Sequence, residues 1–132
     1  MNDAEFEAQQ KRLQGFMDKW VEKLRLNFWE IVYVWARHSG EMREGHENAT
    51  GTCRAVWTHF QATIHWNLEE FAKLNDTEAE RIVLHEHLHI LTAETGPSED
   101  EPDALPRRAH WRDHEERLVS MLTQIMLWLD AE

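Results

Sequence analysis

The sequence predicts a small α+β domain. Three observations carry this. Its 132 residues suit one compact unit with no internal boundary, so residues 1–132 read as a single domain. Apolar residues recur at helical spacing near both ends and in a segment between them. The intervening stretches are rich in Val, Ile, Thr and Trp, which favour strands.

The first helix is expected from residue 3 to about 25, where Leu13, Phe16, Met17, Trp20, Val21 and Leu24 recur at three- and four-residue steps. "NFWEIVYVWARH" then changes character. Every residue from Ile31 to Ala36 is apolar or aromatic, as in a strand buried on both faces. "SGEMREGHENATG" reads as a loop. From Trp57 to Trp66 the chain alternates, with Thr58, Phe60, Ala62, Ile64 and Trp66 on one side; a half-exposed strand or hairpin has this period. "NLEEFAKLND" predicts a short turn of helix. "TEAE", Thr77 to Glu80, predicts a capping box opening a helix that ends near Thr95, before Gly96-Pro97. "GPSEDEPDALP" is an acidic, Pro-rich loop. A last helix follows within residues 107–132, with Leu118, Leu122, Ile125, Met126 and Leu129 as its inward side.

Composition excludes several functions. A net charge of −11 argues against a nucleic-acid partner, because phosphate backbones need a basic face. No apolar run reaches the roughly 20 residues that span a bilayer, and "MNDAEFEAQQKRLQ" lacks a secretory profile, so no membrane partner and a cytoplasmic location are expected. Cys53 is the single cysteine, which rules out an internal disulfide and a cysteine-rich zinc site. Oligomeric state is not readable.

Chemistry concentrates in "ERIVLHEHLHILTAETG". His85, Glu86 and His89 fit H-E-x-x-H. Residues four apart on a helix differ by only about 40°, so both imidazoles can converge on one metal ion. Glu86, about 60° to the side of the line joining them, is near the metal without ligating it, where it can accept and return a proton. Leu84, Leu88 and Leu91 on one flank, with Ala79, Val83 and Ile90 on the other, make this a core helix. His87 points the other way and reads as a surface or second-site residue. Zinc needs a further protein ligand, and "DHEERLV" supplies the candidates. Glu115 shares the side of Leu118, Leu122 and Leu129 and is preferred; Glu116 is the alternative. His59 and His65 read as solvent-face residues.

"RIVLHEHLHIL", preceded by "ATIHWNLEEF" and followed by "HEERLVSML", resembles the small zincin metallopeptidases, in particular minimal gluzincin-like proteins of phages and prokaryotes. The resemblance covers roughly residues 28 to 128. It implies a small sheet above the motif helix, with an edge strand bordering the cleft, to which an extended peptide or protein substrate adds by backbone pairing. The region from Ala62 to His65 is the expected place for that edge. The resemblance also implies Zn2+ as cofactor, His85 and His89 as ligands, Glu115 or Glu116 as the third, and Glu86 as general base and acid towards a zinc-activated water. Two departures stand out. The chain is too short for a second specificity subdomain, and its only tyrosine, Tyr33, precedes the motif. His110, Arg112 or His114 is then the expected cationic stabiliser of an oxyanion, with His114 named first. The expectation is a zinc metallopeptidase; the alternative is a zincin-like domain that binds a metal or partner without turnover.

Overall fold

A computed structural model describes residues 1–96 and 104–131. Helix α1 (Asp3–Lys23) leads into strand β1 (Glu30–Ala36). A hairpin of β2 (Gly51–Val56) and β3 (Gln61–Asn67) is followed by a single helical turn, α2 (Leu68–Phe71). Helices α3 (Asp76–Thr92) and α4 (Ala104–Asp130) complete the chain. The sheet order is β1-β3-β2. β1 runs parallel to β3 and β2 antiparallel to it, so the domain is α+β with a mixed three-stranded sheet.

The helices cover one face of the sheet. Ala62, Ile64 and Trp66 of β3 are buried there among Leu13, Met17 and Trp20 of α1 and Val83, Leu84 and Leu88 of α3. β1 adds Ile31, Tyr33 and Trp35 to this face, but Val32 on the opposite face is half exposed. The continuous apolar run is therefore an edge strand covered on one side, not a strand buried on both. Such a run marks a strand but cannot say how many layers pack on it.

The expected alternation from Trp57 to Trp66 holds only within β3. Trp57–His59 is a tight 3-10 turn, and Phe60 takes a left-handed conformation (φ 52°) to reverse the chain. Its ring is held edge-on by Phe28 and Trp29 at 5.4 and 5.6 Å. α3 also starts earlier than expected. Asn75, not Thr77, caps it: its Oδ1 accepts from the Glu78 amide and its Nδ2 donates to the Glu78 carboxylate, both at 2.8 Å.

Polar contacts lock the helices together. Arg12 of α1 donates to Asp76 at 2.8 Å and to the carbonyls of Phe71 and Leu74 at 3.0 and 2.7 Å. Lys19 reaches Glu80 of α3 at 2.6 Å and Asp130 of α4 at 2.7 Å, and the Trp20 indole also donates to Glu80. On α4 the inward residues are Glu115, Val119 and Thr123, with Leu122 and Met126 partly covered; Leu118, Ile125 and Leu129 are exposed. The predicted inward side was thus rotated. Residues 118–129 carry no charge at all, so periodicity could not mark which arc faces in. The acidic loop predicted at 96–106 falls largely on residues 97–103, outside the described residues, and α4 begins before residue 107. Among the described residues, no helix is long and apolar enough to cross a membrane.

His87 corrects another expectation. It is fully buried, not at the surface. The Val83 carbonyl 2.7 Å from Nδ1 can only accept, so Nδ1 carries the proton, and Nε2 accepts from the Tyr33 hydroxyl at 2.7 Å. Burial pushes the imidazole pKa down to about 4. Between the ordinary value of 6.5 and about 4, the unfolded chain therefore takes up a proton that the folded chain refuses. Stability from this group is complete above pH 6.5 and declines on acidification, by at most about 3 kcal/mol. Urea unfolding of a Tyr33→Phe/His87→Leu double variant tests this. Its stability relative to the parent should improve steadily from pH 6.5 to 4.5; a difference that does not change with pH would refute the assignment.

Candidate metal centre

The centre forms where α3 passes between β2 and α4. One turn of α3 stacks His85 and His89, with ring centroids 4.9 Å apart and Nε2 atoms 3.3 Å apart. Glu116 of α4 spans both: Oε1 lies 2.9 Å from His89 Nε2 and Oε2 3.3 Å from His85 Nε2. Glu115 approaches His89 from the other side of the ring. Its Oε1 accepts a short hydrogen bond from Nδ1–H and also lies 3.2 Å from the Thr92 hydroxyl. A proton held on Nδ1 leaves the Nε2 lone pair of His89 aimed at the centre.

The two glutamates thus take different places. Glu115, preferred in the sequence reading as a ligand, is buried against the back of His89. Glu116, the alternative, faces both Nε2 atoms. The buried carboxylate and the one that faces both Nε2 atoms belong to adjacent residues of α4, which the helical wheel could not separate.

The donor set can be tested against a metal. Ligands about 2.0–2.1 Å from a tetrahedral zinc ion lie about 3.3 Å from one another. The Nε2 atoms of His85 and His89 are 3.3 Å apart, and different oxygens of Glu116 lie 2.9 Å from His89 and 3.3 Å from His85, so the carboxylate bridges the pair. Two imidazoles and a carboxylate are also a nitrogen and oxygen set that zinc accepts. These groups could hold a metal ion of this kind.

Glu86 lies beside them. Its carboxylate oxygen and the ring nitrogens of His85 and His89 are mutually within 4.8 Å. Burial raises its pKa to about 8; His89 opposes the shift, and Glu116 and Glu115 add to it. A cation at the centre acts in the opposite sense and favours the carboxylate. Burial works against charging His89, but its bond to Glu115 and the three nearby carboxylates outweigh it, and its pKa is raised. Burial and His89 lower that of His85.

A cavity of about 390 Å³ opens beside these groups, with Glu86, His89, Glu115 and Glu116 on the helical side and β2 opposite. β2 is an edge strand, whereas the region from Ala62 to His65 lies in β3, the central one. The strand bordering the cleft is therefore β2. Sheet order decides this, and the strand sequences did not reveal it. His114 is exposed, meets the His110 ring edge-on at 4.9 Å and does not line the cavity; Arg112, one of the alternatives named with it, does. His59 is exposed and His65 half-buried, and neither lines the cavity. Trp57 and Trp111 do.

Two residues passed over in the sequence shape the site. Thr92 supports Glu115. Gly51 lets β2 approach α3: a Cβ there would stand 2.9 Å from the Trp66 ring and 3.2 Å from Glu86 Cγ. A glycine opening a strand was the available signal, since it marks close approach of another group. Gly51→Ala should cost about 1–3 kcal/mol in chemical unfolding, because the Trp66 ring it displaces is fully buried. No loss of stability would mean that Trp66 and Glu86 have room to move.

Compared with models of protein families, with curated proteins and with solved structures, the chain finds no match, so the reading of this centre rests on its own geometry.

Proposed function

We propose that the protein is a zinc-dependent hydrolase acting on peptide bonds. The observation that carries this is the convergence of His85 Nε2, His89 Nε2 and the Glu116 carboxylate, with nearest separations of 2.9 to 3.3 Å, and a buried Glu86 alongside. His85, His89 and Glu116 would hold the ion. Glu115 would fix the tautomer of His89 and raise its basicity. Bound zinc supplies a Lewis acid that polarises a carbonyl and acidifies water.

The chain's own groups supply the rest. Glu86 takes a proton from the attacking water and delivers it to the leaving amine, which requires a carboxylate that can hold a proton near neutral pH. β2 offers backbone hydrogen bonds to an extended peptide along the cavity. Arg112 is a cation lining that cavity, placed to meet negative charge developing on a carbonyl oxygen.

Metal analysis after dialysis with zinc should give about one ion per chain. Glu86→Gln should keep the ion and lose peptide hydrolysis by about 10²–10⁴-fold. Glu116→Ala should lose zinc outright, whereas Glu115→Ala should weaken zinc affinity by about 10–100-fold. Failure to take up zinc would refute the reading. Zinc uptake without cleavage of unfolded proteins or a peptide library would leave a metal-binding domain in place of a hydrolase.

A further inference from the structure

We propose that the outer face of α4 is the two-fold interface of a homodimer, an inference independent of the metal. Leu118, Met121, Ile125 and Trp128 are 40, 61, 46 and 65% exposed, and Leu129 beside them is 53% exposed. Their spacing of three, four and three residues is the seam that packs one long helix along another. No residue from 118 to 129 is charged, in a chain with 30% charged residues and a net charge of −11. Two copies of so acidic a chain repel over most of their surface, and this face is where they can meet without that cost.

The face is also self-complementary. A closed two-fold contact brings the same patch against itself, with each residue pair occurring twice. Antiparallel packing centred at the level of Thr123 sets Leu118 against Trp128 of the second copy and Met121 against its Ile125. The smaller Leu118 thus meets the larger Trp128 at both ends of the seam.

At about 200 Å² for a large side chain, these exposures leave on the order of 500 Å² of apolar surface per copy, at the upper end for a lone monomer. Two faces together bury on the order of 1,000 Å², enough for a specific but weak dimer. The dissociation constant should therefore lie in the micromolar range.

Sedimentation velocity of the full chain between about 1 and 200 μM should show a monomer passing to a dimer. Met121→Glu/Ile125→Glu should raise the dissociation constant by about 100-fold or more with an unchanged circular-dichroism spectrum. Cysteine cross-linking gives an independent reading of the arrangement. A mixture of Met121→Cys and Ile125→Cys chains should oxidise chiefly to the mixed 121–125 dimer, with the parent, carrying Cys53 alone, as the control. A chain that stays monomeric at 200 μM would overturn the proposal and leave this face to a different partner. So would a dimer indifferent to both glutamates, or cross-links chiefly between identical positions.

Discussion

The bond between His89 and Glu115 is the contact on which the arrangement of the centre depends. It joins α3 to α4 across the only place where buried polar groups of both helices meet among the described residues. It sets the tautomer of His89 and, through the next residue along α4, the position of Glu116. A buried carboxylate without a partner is costly, and Glu115 finds its partners in the His89 ring and the Thr92 hydroxyl. α3 itself is pinned from behind, where His87 joins Tyr33 of β1 to the Val83 carbonyl. Opposite sides of one helix are therefore fixed by hydrogen bonds to different layers, and the polar groups between them cannot swing freely.

Such an arrangement explains how a core helix tolerates three histidines and a glutamate within five residues. His87 is satisfied internally and stays neutral. His89 and Glu86 line the cavity, and His85 stands one turn away beside His89. The three histidines each find a polar partner, and Glu86 faces the cavity instead of the apolar interior, where an unpartnered carboxylate would most destabilise a small domain. Gly51 completes it by letting the sheet close over the glutamate stem.

The elements were legible in the sequence where periodicity and composition agree: α1, the motif helix, β3 and the presence of α4. The trio of His85, Glu86 and His89 was legible because helical spacing alone brings the imidazoles together. What stayed hidden depended on neighbours far away in the chain. The inward arc of α4 was lost because residues 118–129 are uncharged on every side. Glu115 and Glu116 could not be ordered, because burial and approach to the Nε2 atoms fall on adjacent residues. The strand beside the cleft was misplaced because the parallel pairing of β1 with β3 is what pushes β2 to the edge, and no local signal records that pairing.

This mixed sheet also imposes a sequence of assembly. β2 and β3 are joined by a turn of four residues, 57–60, so their pairing closes a short loop. The parallel register sets Glu30 against Gln61 and must close across the whole hairpin, at a larger entropic cost. The hairpin and the helix that follows, residues 51 to 92, thus form a nearly contiguous stretch of local contacts that holds His85, Glu86 and His89. Glu115 and Glu116 join them only through the packing of α4 on α3. Three of the five polar groups at the centre belong to the local part of the fold, and the centre is complete only when the chain's final helix has arrived.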